Sequence, residues 1–535
     1  EILNLTRNFE KGSNQQADMA KTFEYGEQHL TASTALEIAR GECKGVITEA
    51  VKQKVLKSYN DVAQIASGER AVYGINTGFG PLCTTRVSTE NLVQLQTNIL
   101  MSHAVGVGDL LADELVRLML VLKLQALTQG VSGIALETLE RMIWMLENEV
   151  TPIVPAQGSV GASGDLAPLS HLFLPLIGLG QVNYKSQTQS AGKVLSQLGV
   201  APIELSPKEG LALINGTQFI AAHAVQLVER LHNALTCADI TGAMMIEGLK
   251  GSVKPFSPEL HNLRPFPGNQ YVAERIRTLL HESEVVYSHI GCARVQDPYS
   301  LRCMPQVHGA SRNSWKHLRD MLEIELNSVT DNPVVFNHEH TISGGNFHGQ
   351  PIALPIDYAC IAASEIGNIS DRRIYLSLEG DTPGVPKLLM KETGTNSGFM
   401  IVQYTTAALA SENKGLCLPA SADSRPTSLG QEDHVSMGSI GGRKALKVVS
   451  NTEQILGIEL MCAAQAMDYH RPLKSGKKME EVHAMVREHV PHIEKDQIMT
   501  DYMDATKALV KSGELTRAID DLAQESEHQL DFDRY

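Results

Sequence analysis

The sequence predicts a mainly α-helical protein, a bundle of long helices with a loop-rich N-terminal region and a few small β-hairpins. Apolar residues recur at helical spacing over residues 108–129 and again over 207–250, the second stretch carrying so little charge that it reads as one long interior helix. The same period returns over 309–329, 350–378, 397–414 and 443–467. Against this, only two segments read as strands: Gln181-Val-Asn-Tyr184 before a polar turn, and Val334-Val-Phe336 before the turn at 337–340. Both are short enough for hairpins rather than a sheet. No internal repeat or Pro/Gly-rich linker divides the chain, so residues 1–205 and 206–535 are expected to form a loop-rich region and a helical region of one integrated unit.

Bulk properties exclude several classes. At 535 residues and 43% hydrophobic content the chain can build a sizeable core. Its 61 acidic residues against 46 basic ones give a net charge of −15, which disfavours nucleic acid and anionic membranes as partners. The most hydrophobic stretch, Leu115 to Leu127, is interrupted by Arg117 and Lys123 and is too short to span a bilayer. Eight cysteines show neither a CxxC pair nor Cys/His ligand spacing, so no zinc site or disulfide framework is expected and reduced thiols in a cytoplasm fit best. His338-Glu339-His340 reads as a polar turn, and no metal is expected. The opening residues Glu1-Ile-Leu-Asn lack the basic segment and apolar core of a secretion signal, and the absence of an initiating methionine leaves room for residues upstream.

The N-terminal region holds the most informative stretch, Gly158-Ser-Val-Gly-Ala-Ser-Gly-Asp-Leu-Ala167. By composition it reads as a loop entering a helix, with Asp165 as N-cap and Pro168 in the first turn. A phosphate loop is a poorer match, since the glycines are spaced G-x-x-G-x-x-G and no lysine follows. A third reading concerns the backbone itself. Around Ala162-Ser163-Gly164 the side chains are so small that a compressed turn could bring the Gly164 amide nitrogen onto the Ala162 carbonyl carbon. Loss of one water would close a five-membered ring, and loss of the Ser163 hydroxyl as a second would leave a conjugated methylidene, an electrophile that no unmodified side chain supplies.

The string GSVGASGDLAPLSH resembles the signature of the ammonia-lyase and aminomutase family, whose members form a methylidene-imidazolone from Ala-Ser-Gly. Six further blocks follow in family order: Tyr73-Gly-Ile-Asn-Thr-Gly-Phe-Gly80, Ser102-His103-Ala-Val-Gly106, Asn215-Gly-Thr-Gln218, Gln296-Asp-Pro-Tyr-Ser-Leu-Arg302, Ser343-Gly-Gly-Asn-Phe-His348 and Gln431-Glu-Asp-His-Val-Ser-Met437. The resemblance implies the family's helical fold, a 4-methylideneimidazole-5-one formed autocatalytically from Ala162, Ser163 and Gly164 with no external cofactor, and a homotetramer with shared active sites. Ser102-His103 and Glu432 are similar to the branch that converts L-histidine to trans-urocanate and ammonia. An aromatic ammonia-lyase or 2,3-aminomutase is the alternative. A noncatalytic scaffold would have no use for Ser163, Tyr73, Asn215 and Arg302 together.

Carried onto this chain, the resemblance makes Tyr73 the base; a phenol has an ordinary pKa of about 10, so positive potential must lower it. Arg302 holds the substrate carboxylate, for which a guanidinium fork is matched, although a lone arginine would more readily be read as half of a structural ion pair. Gln296 and Tyr299 line the site, Tyr299 near the electrophile. Asn215 orients the carbonyl of the ring, Phe347 packs against it, and Asp165 adjoins it. Glu432 accepts the imidazole N–H and His103 bonds the other side of the ring. Two departures from the family pattern bear on side-chain preference: Gly430 stands where many relatives have asparagine, and Thr382-Pro-Gly-Val-Pro-Lys-Leu-Leu389 replaces a more common LPPFL form.

Overall fold

A computed structural model describes residues 21–80, 86–88, 91–292, 294–523 and 528–535, so Glu1 to Asn4 lie outside the described residues. Four long helices, Gln218–Gly248, Met304–Leu326, Gln350–Leu378 and Gly438–Asp468, pack on one another. The first and last are buried on almost every face, as their scarcity of charge requires. The apolar helix Asp113–Leu127 lies against the first of them, and Met400–Leu416 against the last. A single apolar cluster extends through all of these, from Phe23 to Phe532.

Several of the charges inside the bundle are paired, because an unpartnered buried charge costs more than packing returns. Asp239 accepts from His308 Nδ1 at 2.8 Å and from Arg312, while Arg373 pairs with Glu459. Glu459 Oε2 also accepts the hydroxyls of Thr241 and Ser370, at 2.8 and 2.6 Å.

Both expected hairpins are present. Gln181–Tyr184 pairs antiparallel with Gln187–Ser190, with Val182 opposite Gln189, and Thr151–Pro152 adds a third strand. Val334–Val335 pairs with Thr341–Ile342. Two helical expectations need correction. The helix expected from residue 108 begins at Asp113, because Val107–Leu110 pairs instead with Pro155–Gln157. The long helix expected over 207–250 is two helices: Glu209–Ile214 ends at Asn215, which is extended at φ −86° and ψ 124°, and Gln218–Gly248 starts beyond it. The break falls where Gly216 takes φ +138°, a conformation closed to other residues. Among the described residues no helix is long and apolar enough to cross a membrane.

Candidate active site

The break at Asn215-Gly216-Thr217 is the floor on which the Ala-Ser-Gly loop rests. Gly164 pairs with Gly216 in an isolated parallel bridge, and the Asp165 amide donates to the Gly216 carbonyl at 2.7 Å. The approach is so close that a Cβ on Gly164 would stand 2.1 Å from that oxygen. Ser163, with φ +52°, holds a left-handed conformation that a residue with a side chain rarely adopts, flanked by positive φ at Gly161 and Gly164. The loop thus turns through left-handed backbone at Ser163 and Gly164.

Three helices begin around this loop. Leu166–Phe173 starts after Asp165, Gln218–Gly248 starts two residues past Gly216, and Gly438–Asp468 starts at Met437, whose amide donates to the Val160 carbonyl at 3.0 Å. Their N-terminal ends bring positive potential to the loop. Asp165 occupies the N-cap position of its own helix, but its carboxylate caps another: it accepts from the Ile220 amide at 3.0 Å and from Ser159 Oγ at 3.1 Å. Burial pushes Asp165 up to about 7, those donors opposing the shift.

Above the loop opens a cavity of about 540 Å³ whose walls include Tyr73, Phe79, His103, Ser163, Asn215 and Glu432. Five of the residues named from the sequence, far apart along the chain, therefore share one space. Ser163 Oγ donates to Glu432 Oε1 at 2.7 Å, and Glu432 Oε2 accepts from Thr427 Oγ1 and Ser428 Oγ at 2.9 and 2.7 Å. The carboxylate is fixed from behind by a turn in which Ser428, Leu429 and Gly430 all have positive φ. Gly430, at φ +85° with open space around a hypothetical Cβ, sits where both glycine and asparagine are tolerated. Thr382–Leu389, the other departure, contributes no wall to the cavity.

His103 ends the helix Leu92–His103, with Ser102 Oγ 3.0 Å from its Nδ1. Burial pulls it below the ordinary histidine value, with the Ile99 carbonyl and the charge of Glu432 pulling the other way. Tyr73 Oη accepts from the Gly80 amide at 3.3 Å. Its loop is tied by Asn76, whose side chain accepts from Val72 N at 2.8 Å and donates to the Arg70 carbonyl at 2.9 Å.

Gln296, Tyr299, Arg302 and Phe347 do not line this cavity within one chain. Tyr299 is 71% exposed, and the Arg302 guanidinium lies over its ring at 4.6 Å while Arg302 Nε donates to the Asp297 carbonyl at 2.8 Å. Sequence reasoning passed over Asn76, Thr427 and Ser428, which orient Tyr73 and Glu432; each lies within or just before a quoted block, and only the folded turn shows its role. It also passed over Lys123, read as nothing more than an interruption of an apolar run.

The loop and its surroundings fit a ring made from Ala162, Ser163 and Gly164. The strained φ at Ser163 and the exclusion of any side chain at Gly164 are what a self-condensing turn demands. Asn215 Oδ1 is buried without a hydrogen-bond partner, a polar end that the unmodified chain leaves unsatisfied beside the loop.

The sequence profile of the aromatic amino acid lyase family matches residues 30–488. The chain belongs to this family of carbon–nitrogen lyases and has its helical-bundle fold. It is 45% identical over 485 residues to the histidine ammonia-lyase of Natranaerobius thermophilus, covering 90% of this chain and 95% of that one. The crystal structure of histidine ammonia-lyase from Trypanosoma cruzi superposes with a TM-score of 0.88 at 39% identity, covering 95% and 97% of the two chains. Tyrosine aminomutase from Streptomyces globisporus is also similar, with a TM-score of 0.87 at 34% identity over 94% of this chain and 99% of that one.

Proposed function

We propose that the chain is a histidine ammonia-lyase, converting L-histidine to trans-urocanate and ammonia. The observation that carries this reading is the convergence of Tyr73, His103, Ser163, Asn215 and Glu432 on one cavity, with Glu432 directly opposite Ser163. Similarity to histidine ammonia-lyases over nine-tenths of the chain supports the choice of substrate.

The reaction breaks a C–N bond and a β C–H bond and forms a C=C bond, with no oxidant or water consumed. A methylidene-imidazolone formed from Ala162-Ser163-Gly164 supplies an electron sink for the departure of the amine. Tyr73 takes the β-proton, its Oη held by the Gly80 amide at 3.3 Å. Forming the ring removes the Ser163 hydroxyl, which leaves Glu432 Oε1 facing the cavity without its donor while Thr427 and Ser428 still hold Oε2. That oxygen then accepts the imidazole N–H, and His103, kept neutral by burial, bonds the opposite side of the ring. A phenylalanine ring offers no donor to Glu432 Oε1, and neither phenylalanine nor tyrosine offers two ring nitrogens to Glu432 and His103 together, which disfavours both.

Arg302 holds the substrate carboxylate, with Gln296 and Tyr299 beside it and Phe347 against the ring. Their positions outside the single-chain cavity fit a homotetramer in which another copy completes each site. A reduced cytoplasmic setting suits the cysteines, which are free thiols among the described residues.

The test is ultraviolet absorbance of purified protein given L-histidine, L-tyrosine or L-phenylalanine, with ammonia assayed alongside. Urocanate and ammonia from histidine alone support the proposal. A cinnamate-type product or a β-amino acid overturns the roles of His103 and Glu432, and no product from any of the three overturns the reaction itself.

A further inference from the structure

Lys123 is fully buried on the helix Asp113–Leu127, and no carboxylate accepts from it. Its Nζ donates to the Asn215 carbonyl at 2.6 Å and to Gln218 Oε1 at 3.4 Å. The carboxylates nearby are otherwise engaged: Asp331 pairs with Lys208 at 2.8 Å and accepts from Ser132 Oγ, and Asp165 is held by Ile220 and Ser159. An ammonium buried against neutral acceptors is costly, and burial pushes Lys123 down to about 7.

The place it occupies gives that cost a purpose. The Asn215 carbonyl belongs to the peptide leading into Gly216, whose own carbonyl receives the Asp165 amide and whose backbone supports Gly164. Gln218, the second acceptor, is tied onward by its Nε2 to Thr330 Oγ1 at 2.8 Å. The ammonium therefore grips both sides of the break between the two helices.

We propose that Lys123 is a positioning residue for the reactive loop: by clamping the Asn215–Gln218 break from beneath, it keeps Ala162-Ser163-Gly164 compressed enough to close on itself. Nothing passes through its side chain covalently. The proposal rests on the reading of the loop as a self-condensing turn.

Intact-mass measurement of wild type, Lys123→Met and Lys123→Arg, each freshly purified, reads ring formation as the loss of two waters, with circular dichroism as the check on folding. Wild type should lack both waters. Folded Lys123→Met should be processed more slowly by about tenfold or more, the factor for one lost charge-assisted hydrogen bond, and Lys123→Arg should recover most of the rate. Folded Lys123→Met processed like wild type overturns the role of Lys123. Wild type retaining both waters overturns the ring instead, and a second readout then decides on Lys123. In a Ser163→Ala background, where no methylidene can form, adding Lys123→Met should speed hydrogen exchange at the Asp165 amide by a similar factor, and unchanged exchange overturns the clamp. Lys123→Gln replaces Lys123→Met in both measurements if the methionine variant does not fold.

Discussion

Replacing Glu432 with glutamine removes the charge proposed to read the substrate ring while leaving its setting nearly intact. Thr427 and Ser428 can still donate to one oxygen of the amide, so the turn that carries residue 432 keeps its anchor. What is lost is one hydrogen bond from the imidazole N–H to an ionised acceptor. Such bonds contribute about 1.5–3 kcal/mol, so kcat/KM for L-histidine should fall by about ten- to 150-fold. The assay is the initial rate of urocanate absorbance at subsaturating histidine, normalised to the fraction of chains that have lost two waters, because Glu432 also holds the Ser163 hydroxyl before the ring forms. Thermal melting should change little. A Glu432→Gln enzyme, fully processed and within about twofold of wild-type kcat/KM, would refute the assignment of residue 432 to the substrate ring.

Ser163→Ala should keep the fold and lose nearly all turnover, its mass never showing loss of the second water; full activity would sink the self-derived electrophile. Gly164→Ala places a Cβ 2.1 Å from the Gly216 carbonyl at φ +83°, so its loop should separate from the break and its mass should retain both waters; normal processing would show that this contact does not matter. Glu247 gives a pH test remote from the cavity. Burial pushes its carboxyl up to about 7, against the hydroxyls of Ser283 and Ser475, so the folded state binds its proton more tightly than the unfolded chain does. Its stabilising contribution is fully present below about pH 4 and is lost as pH rises through about 7. Glu247→Gln, permanently neutral, should therefore gain melting temperature relative to wild type between pH 5 and pH 8 with kcat unchanged, and parallel melting curves would contradict the burial effect.

The long helices were legible in the sequence because burial on every face leaves a dense apolar pattern, and the hairpins because polar turns bracket them. What escaped was decided by partners distant in sequence. Residues 108–110 left their predicted helix for a strand partner that follows Val154. The 207–250 run hid a break whose only local signal was Gly216, since an apolar pattern continues on both sides. Asp165 had the right chemistry for a cap, yet the helix it caps begins more than fifty residues later. In the site, the blocks named Tyr73, His103, Asn215 and Glu432, but no local pattern could show that Thr427, Ser428 and Asn76 hold two of them in place. Lys123 could not be read at all without the backbone carbonyl that receives it.

The hydrogen bond between Ser163 and Glu432 joins residues 269 positions apart, and the strand of contacts beneath the loop reaches from Lys123 to Ile220. During synthesis Ser163 therefore leaves the ribosome long before its acceptor exists. The nascent chain carries an ordinary Ala-Ser-Gly segment, chemically inert toward the thiols and amines around it. On the proposed reading, in which compression makes the segment react, the electrophile would arise only inside a pocket already walled by the rest of the chain, and an incomplete protein would never display it.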